Sequence, residues 1–490
     1  MTESLPASPA AALAQEASRL ERAGRLEEAA ATYERLLARS PELPDCWYNL
    51  GLLQRRLGRW EAALESYGQA LRRGVSGPEE VHLNRAVVLA DCLRREAAAE
   101  GELRTALELN PRYLPALQNL ANLCEDLGRR DEARALYERI LALAPHSHEA
   151  LARAAQLARV TGPEDPIIPR LRAALADPKA SAAEGASLGF SLAQALDAAG
   201  EFAAAFAAAV AANGASRESV RPAVRYDRAA HERFIDALIA AFPHPEGDIR
   251  AQSDAPPIFV CGMWRSGSTL AEQLLAGHSA VTAGGELDLL PQLVQSDLSP
   301  FPQAVASLSA ARSRGLADRY RAELAALFPD AQRVTDKRPD NYLLIGLIKR
   351  LFPGARIVHT TRDALDTCLS VFFLHLDPRL AWALDLADIG HYFLQYRRLM
   401  AHWQSLFGED ILDFSYDALV REPRPAVERL LAFCDLPWEE TCLTPSVRGA
   451  VKTASVWQVR EPLYRRSSGR AAHYRRELAA LATYLGEAAP

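Results

Sequence analysis

Five short segments hold residues that could act on a charged group. The first is GMWRSGST, residues 262–269. Gly262, Gly267 and Thr269 keep the spacing of a phosphate-cradling loop, G-x-x-x-x-G-K-[ST], but Ser268 stands where the lysine belongs. The glycines let backbone amides turn inward around an anion. The helix that Thr269 opens directs its dipole at the same point, and Arg265 adds a fixed positive charge. In an ATP-using site the lysine would reach the β and γ phosphates, and a carboxylate after a second apolar strand would hold magnesium. Here the candidate strand, ARIVHTT, runs into Arg362 before Asp363. An arginine at that point favours an anion over a metal-holding carboxylate. A loop built to grip phosphate without lysine or a metal carboxylate suits transfer of a sulfuryl group. That group carries less negative charge in flight than a phosphoryl group, so cationic side chains can serve in place of a metal.

The surrounding residues make the reading more specific. PIFVCGMWRSGSTLAEQLLAGH resembles the 5′-phosphosulfate loop of sulfotransferases that use 3′-phosphoadenosine 5′-phosphosulfate (PAPS). The resemblance is greatest to bacterial members that carry tetratricopeptide repeats, and then to the tyrosylprotein sulfotransferases. GGELDLL, TDKRPDN, ARIVHTTRDALDTCLS and DFSYDALVREP follow in the order of that family's remaining segments. The resemblance implies that Arg265, Ser266, Gly267, Ser268 and Thr269 hold the 5′-phosphosulfate. It implies that Arg362 and Ser370 hold the 3′-phosphate and that Tyr416 packs on the cofactor. Glu286 becomes the general base that takes the acceptor hydroxyl proton. Lys337 offsets charge on the leaving oxygen. In the tail, Ser455 and Arg470 keep the family's spacing, which assigns Ser455 to the transferring group and Arg470 to the 3′-phosphate. One position departs from the pattern: Trp264 stands where the family usually has proline. His278, His359 and His375 are assigned to core or loop rather than to chemistry.

The elements that must position these residues differ between the two halves of the chain. Before residue 145, Gly24 and Gly58, Ala29 and Ala63, and Tyr33 and Tyr67 are each 34 positions apart. Gly128, Ala133 and Tyr137 repeat the same internal spacing, and Asn49, Asn84 and Asn119 recur every 35 residues. This resembles the tetratricopeptide repeat: paired amphipathic helices, a glycine at the turn, small residues at the contact and an aromatic between units. About four units fit residues 10 to 145, the third with Arg94 or Arg95 in place of the turn glycine. Gly200 and Ala205 keep the spacing in a last, divergent pair. Strand-like runs then alternate with amphipathic ones: PPIFVCGM, RVTD, DNYLLIGLIKRLF, ARIVHTT and DALDTCLSVFFLH. That alternation predicts parallel βαβ units with ligands beyond the carboxyl ends of the strands. The expected architecture is therefore multidomain. An all-α tetratricopeptide-type solenoid occupies residues 1–217, a bridging helix and linker 218–254, and an α/β P-loop-like domain with a parallel sheet 255–490.

Composition narrows the partners. A net charge of −6 argues against general nucleic-acid binding. Seven scattered cysteines lack zinc-ligand spacing and read as reduced thiols, the N-terminus lacks signal-peptide character, and no apolar run is long enough to span a membrane. These features predict a cytoplasmic protein, and the resemblance implies an enzyme that uses PAPS as co-substrate and no metal. The repeats point to a peptide or protein acceptor, tyrosine among the possible hydroxyls. The alternatives are a carbohydrate O-sulfotransferase, a P-loop kinase or ATPase, and a repeat scaffold without catalysis.

Overall fold

The computed structural model describes residues 9–220, 222, 224–244, 256–444 and 468–487. The chain divides into two compact units, Met1–Leu157 and Ala158–Pro490.

The first unit is a run of antiparallel helix pairs: Pro9–Arg22 with Leu26–Arg39, Pro44–Arg56 with Trp60–Arg72, Pro78–Val87 with Glu96–Leu109, and Leu114–Asp126 with Arg130–Leu143, closed by His148–Leu157. The repeat positions do what their sizes require. Ala63 and Ala70 are fully buried, and Tyr33, Tyr67 and Tyr137 are buried between helices. A Cβ on Gly51 would lie 2.6 Å from the Tyr67 ring, so only glycine admits that ring. Gly24, Gly58 and Gly128 take left-handed φ values of 74°, 73° and 76° at the turn within each pair. In the third pair Arg94 adopts φ 53° at the same place, just after a π-helical turn at Val88–Cys92. The turn survives the loss of its glycine by placing an arginine in a conformation that Cβ disfavours.

The second unit is built on a five-stranded, all-parallel sheet of order β2-β3-β1-β4-β5. Its strands are β1 Ile258–Gly262, β2 Val281–Thr282, β3 Arg333–Lys337, β4 Ile357–Thr361 and β5 Ile411–Ser415. β1 is buried along its whole length, as a central strand covered on both faces must be. One face packs Ile258 and Val260 against Ala271, Leu274, Val358, Leu412, Phe414 and Leu430. On the other, Phe259 meets Tyr320 and Phe352. Strand order reverses about β1, so the carboxyl ends of β1, β3 and β4 open on one crevice, where ligands of such sheets bind.

The helix pair Ala182–Ala198 and Phe202–Glu218, assigned by its repeat spacing to the first domain, lies in the second compact unit. Phe206 packs on Phe372 with ring centroids 5.4 Å apart, Phe190 stacks on His375 at 5.0 Å, and the Asn213 side-chain amide donates to the Phe372 carbonyl at 2.9 Å. The units thus part at residue 157, not at 217, because this pair buries its apolar face on the helix after β4. Among the described residues, no helix is long and apolar enough to cross a membrane. All seven cysteines are free.

Candidate active site

The loop after β1 turns sharply because two of its residues need left-handed backbone and a third lies close to that region. Gly262 has φ 153°, and a Cβ there would sit 2.5 Å from the Thr360 carbonyl oxygen. Gly267 has φ 105° and faces the Tyr416 ring, and Arg265 itself has φ 71°. The helix Ser268–Ala276 begins at once, so its first amides point into the crevice with no carbonyl of that helix to accept them. Ser266 differs from its expected part. Its amide donates to the Met263 carbonyl at 3.0 Å, and its hydroxyl lies 2.7 Å from Thr360 Oγ1, whose own proton goes to the Cys261 carbonyl. Both donors of Ser266 are engaged within the fold, where they hold the loop to β4.

Arg265 links Arg362 and Ser370 into one cluster. Arg265 Nε donates to Ser370 Oγ at 3.1 Å, and Arg362 donates to the Arg265 carbonyl at 3.2 Å. The register explains why Arg362 meets Tyr416. Thr361 of β4 pairs with Ser415 of β5, so the next residues after the two strands lie side by side, with the guanidinium 5.3 Å from the ring centroid. Asp366, buried one turn on from Arg362, accepts from the amides of Gly469 and Ala471 at 2.6 and 2.7 Å. Burial raises its carboxyl above the usual range, against the pull of the Ala471 amide and of Arg362. The tail after residue 468 is thereby fastened beside the cationic cluster. Arg470 points elsewhere: its guanidinium pairs with Asp197 at 3.1 Å and lies over the Phe373 ring at 4.7 Å. Ser455 falls outside the described residues.

Across the crevice, Lys337 ends β3 and Glu286 stands in the loop after β2. Lys337 Nζ donates to Glu286 Oε1 at 2.6 Å; the lysine side chain is 0 % exposed and the glutamate 41 %. The strand's alternation sends Thr335 and Lys337 to this side and Asp336 to the other, where Tyr320 and Asn341 donate to it at 2.7 and 3.0 Å. Glu272, which the sequence reading did not single out, is buried on the helix of the loop. It accepts from Thr335 Oγ1 at 2.7 Å and from the Gly285 amide at 2.9 Å. Burial drives its carboxyl above the usual range, opposed chiefly by the Lys337 ammonium. Its only sequence signal was a charge on the apolar face of an amphipathic helix.

Trp264 leaves the crevice. Its ring joins Trp382 at 5.1 Å and Tyr392 at 6.0 Å, and the latter two stack at 4.0 Å. The tryptophan therefore anchors the loop to the aromatic segment after the helix Ala364–Phe372, where proline would only have stiffened it. The three histidines singled out in the sequence have structural partners: His359 bonds Asp413 and Tyr396, His278 bonds the Pro437 carbonyl, and His375 stacks on Phe190.

Comparison with known proteins places two kinds of sequence in this chain. Residues 256–440 match the model of the sulfotransferase family, and residues 14–79, 48–113 and 114–157 match tetratricopeptide-repeat models. The chain carries tetratricopeptide repeats followed by a sulfotransferase-family domain. An uncharacterized protein of Aquifex aeolicus is 32 % identical over 405 residues, 79 % of this chain and 52 % of that one. The protein-tyrosine sulfotransferase of Drosophila melanogaster is 23 % identical over 209 residues, 39 % of this chain and 40 % of that one. The chain thus spans about half the length, or less, of these curated relatives. Among solved structures, the sulfotransferase domain from the Synechococcus PCC 7002 olefin synthase aligns at 20 % identity with a TM-score of 0.35, over 49 % of this chain and 98 % of that one. The sulfotransferase domain holds every site segment except the tail, and the loop, Glu286, Lys337, Arg362 and Tyr416 all fall inside the matched range.

Proposed function

We propose that the second unit moves a sulfuryl group from PAPS to an acceptor hydroxyl, with a tyrosyl side chain of a peptide or protein as the favoured acceptor. The observation that carries the reading is the pairing of Lys337 with Glu286 at 2.6 Å, across a crevice from an anion loop backed by Arg265, Arg362 and Ser370. The donor set fits the co-substrate. Without a Cβ at 262 and 267 the loop packs closely on Thr360 and Tyr416 while its amides turn inward, and Arg265 and Arg362 offer charge to a nucleotide with anionic groups at both ends. When bound, PAPS supplies an activated sulfuryl group on a phosphate leaving group. The amides of 267–269 and Arg265 would hold its 5′ end, and Arg362 and Ser370 its 3′-phosphate. Tyr416 would flank the nucleotide. Lys337 grips Glu286 Oε1, yet the carboxylate is two-fifths exposed, so an acceptor hydroxyl can reach the second oxygen and lose its proton there. Swinging from Glu286 towards the leaving oxygen, the Lys337 ammonium would place its charge where negative charge accumulates. The relatives that bear the protein-tyrosine sulfotransferase name support tyrosine as acceptor, and the repeats offer the kind of surface that binds a peptide.

The test is transfer from ³⁵S-labelled PAPS by the full chain into tyrosyl peptides and into a cell extract, with the labelled product identified. Label on tyrosine is expected. Label on sugar would keep the reaction and change the acceptor. Glu286→Gln should leave binding of 3′,5′-adenosine bisphosphate unchanged and lower kcat by about 10²- to 10⁴-fold. Magnesium-ATP binding more tightly than the bisphosphate would overturn the reading in favour of a kinase or ATPase.

A further inference from the structure

Residues 283–288, which carry Glu286, lie between β2 and the helix Leu289–Asp297 and belong to no strand or helix. Something else must fix where Glu286 stands. The two amides just before it are taken by one small network. Gly285 N–H donates to Glu272 Oε1 at 2.9 Å, Gly284 N–H donates to Thr335 Oγ1 at 3.0 Å, and Thr335 Oγ1 donates to that same Glu272 oxygen at 2.7 Å. The Lys337 amide donates back to the Gly285 carbonyl at 3.0 Å. The fit admits no side chain at the turn: a Cβ on Gly284 would lie 2.0 Å from the Thr335 carbonyl oxygen, and Gly285 has φ 69°. Glu272 itself is 2 % exposed and sits three residues past Thr269, on the helix that the anion loop opens. A carboxyl so buried is costly to leave without hydrogen bonds, so removing either partner of this network is felt at the turn.

We propose that Glu272 is a positioning residue for the Glu286–Lys337 pair, tying the helix of the anion loop to the Gly284–Gly285 turn so that the base and the bound anion keep one spacing. The inference rests on the roles given to Glu286 and Lys337 above. One side-chain oxygen and one hydroxyl hold the turn from the loop's own helix, while β3 delivers both the Thr335 hydroxyl and Lys337. The three elements of the site are thus coupled through Glu272 without Glu272 touching either reactant.

The test compares the full chain with Glu272→Ala, Glu272→Gln and Thr335→Val by amide hydrogen exchange, by binding of 3′,5′-adenosine bisphosphate and by transfer from PAPS to a tyrosyl peptide. In Glu272→Ala and Thr335→Val, exchange across 283–288 should accelerate about tenfold or more, with β1 unchanged. Bisphosphate affinity should stay within about threefold, and kcat should fall about tenfold or more at little change in the KM for PAPS. Glu272→Gln, which keeps an accepting oxygen, should recover most of the protection and rate. Unchanged exchange at 283–288, or acceleration spread equally over β1, would overturn the proposal. Should the wild-type chain transfer nothing while the local exchange effect appears, the sulfotransferase reading falls and the structural tie through Glu272 stands.

Discussion

Arg362 does two jobs from one position. It donates to the Arg265 carbonyl, so it props the anion loop, and it lies against the Tyr416 ring. Removing it weakens any nucleotide that the loop binds, so the informative quantity is a ratio. Arg362→Ala should reduce the preference for 3′,5′-adenosine bisphosphate over 5′-AMP by about ten- to a hundredfold, the worth of a charged hydrogen bond, as read by calorimetry. Asp336 offers a test on the opposite face of β3. Burial lifts its carboxyl to about 6, even though the Tyr320 hydroxyl and the Asn341 amide favour the anion. The folded state therefore keeps a proton that the unfolded chain has already released, so stability falls as pH rises from about 4 through about 6. The loss should approach roughly 3 kcal/mol. Asp336→Asn should flatten this part of the pH profile in urea denaturation between pH 4 and 8.

At the scale of elements, each half of the molecule shows a turn whose backbone is fixed and whose residue is not the easy one. Arg94 stands in the left-handed conformation that glycine takes at the equivalent turns Gly24, Gly58 and Gly128. Arg94→Gly should raise the stability of the repeats by about 1 kcal/mol, seen as a higher midpoint in thermal denaturation followed by far-UV circular dichroism. Arg265 holds a similar conformation in the anion loop, and there the cost accompanies a charge aimed by the turn. The strands were unequally legible. β1 and β4 announce themselves as apolar runs before chemistry-bearing residues, and β3, RVTDK, is legible only as a short segment between two amphipathic ones. β2 has two residues, too few for any pattern, and β5, Ile411–Ser415, alternates inside a polar stretch. Yet β5 decides a contact of the site, since its register with β4 sets Tyr416 beside Arg362.

At the scale of the whole molecule, the compact units do not follow the repeat spacing. Phe202 stacks on His473 at 4.3 Å, Arg217 donates to the Leu384 carbonyl at 3.0 Å, and Asp197 receives Arg470. The helices 182–218 are thus part of the body that carries the site. A chain cut to 158–490 should remain soluble and unfold in one cooperative transition. A chain cut to 218–490 would bare Phe372, Phe373 and Tyr474 and should aggregate or bind a hydrophobic dye. Light scattering and dye fluorescence on the two fragments distinguish these outcomes.

The sequence alone determined whatever depends on local spacing. Glycine, alanine and tyrosine at a period near 34 specify paired helices, and an apolar run into G-x4-G-x-T specifies a strand, an anion loop and a helix. That Arg362 ends a strand and Ser370 lies on the helix after it was legible as well; that Arg265 links the two was not. The partners that only the tertiary structure assigned are separated by long stretches of chain. Glu272 meets Gly285 and Thr335 across two loops, Ser266 spends its donors on β4, and Trp264 leaves the crevice for Trp382 and Tyr392. Arg470 turns to Asp197, 273 positions away. Spacing can say that a glutamate lies on an apolar helix face; only the packed sheet says which amides wait there to receive it, because burial and register belong to the fold and not to any window of residues.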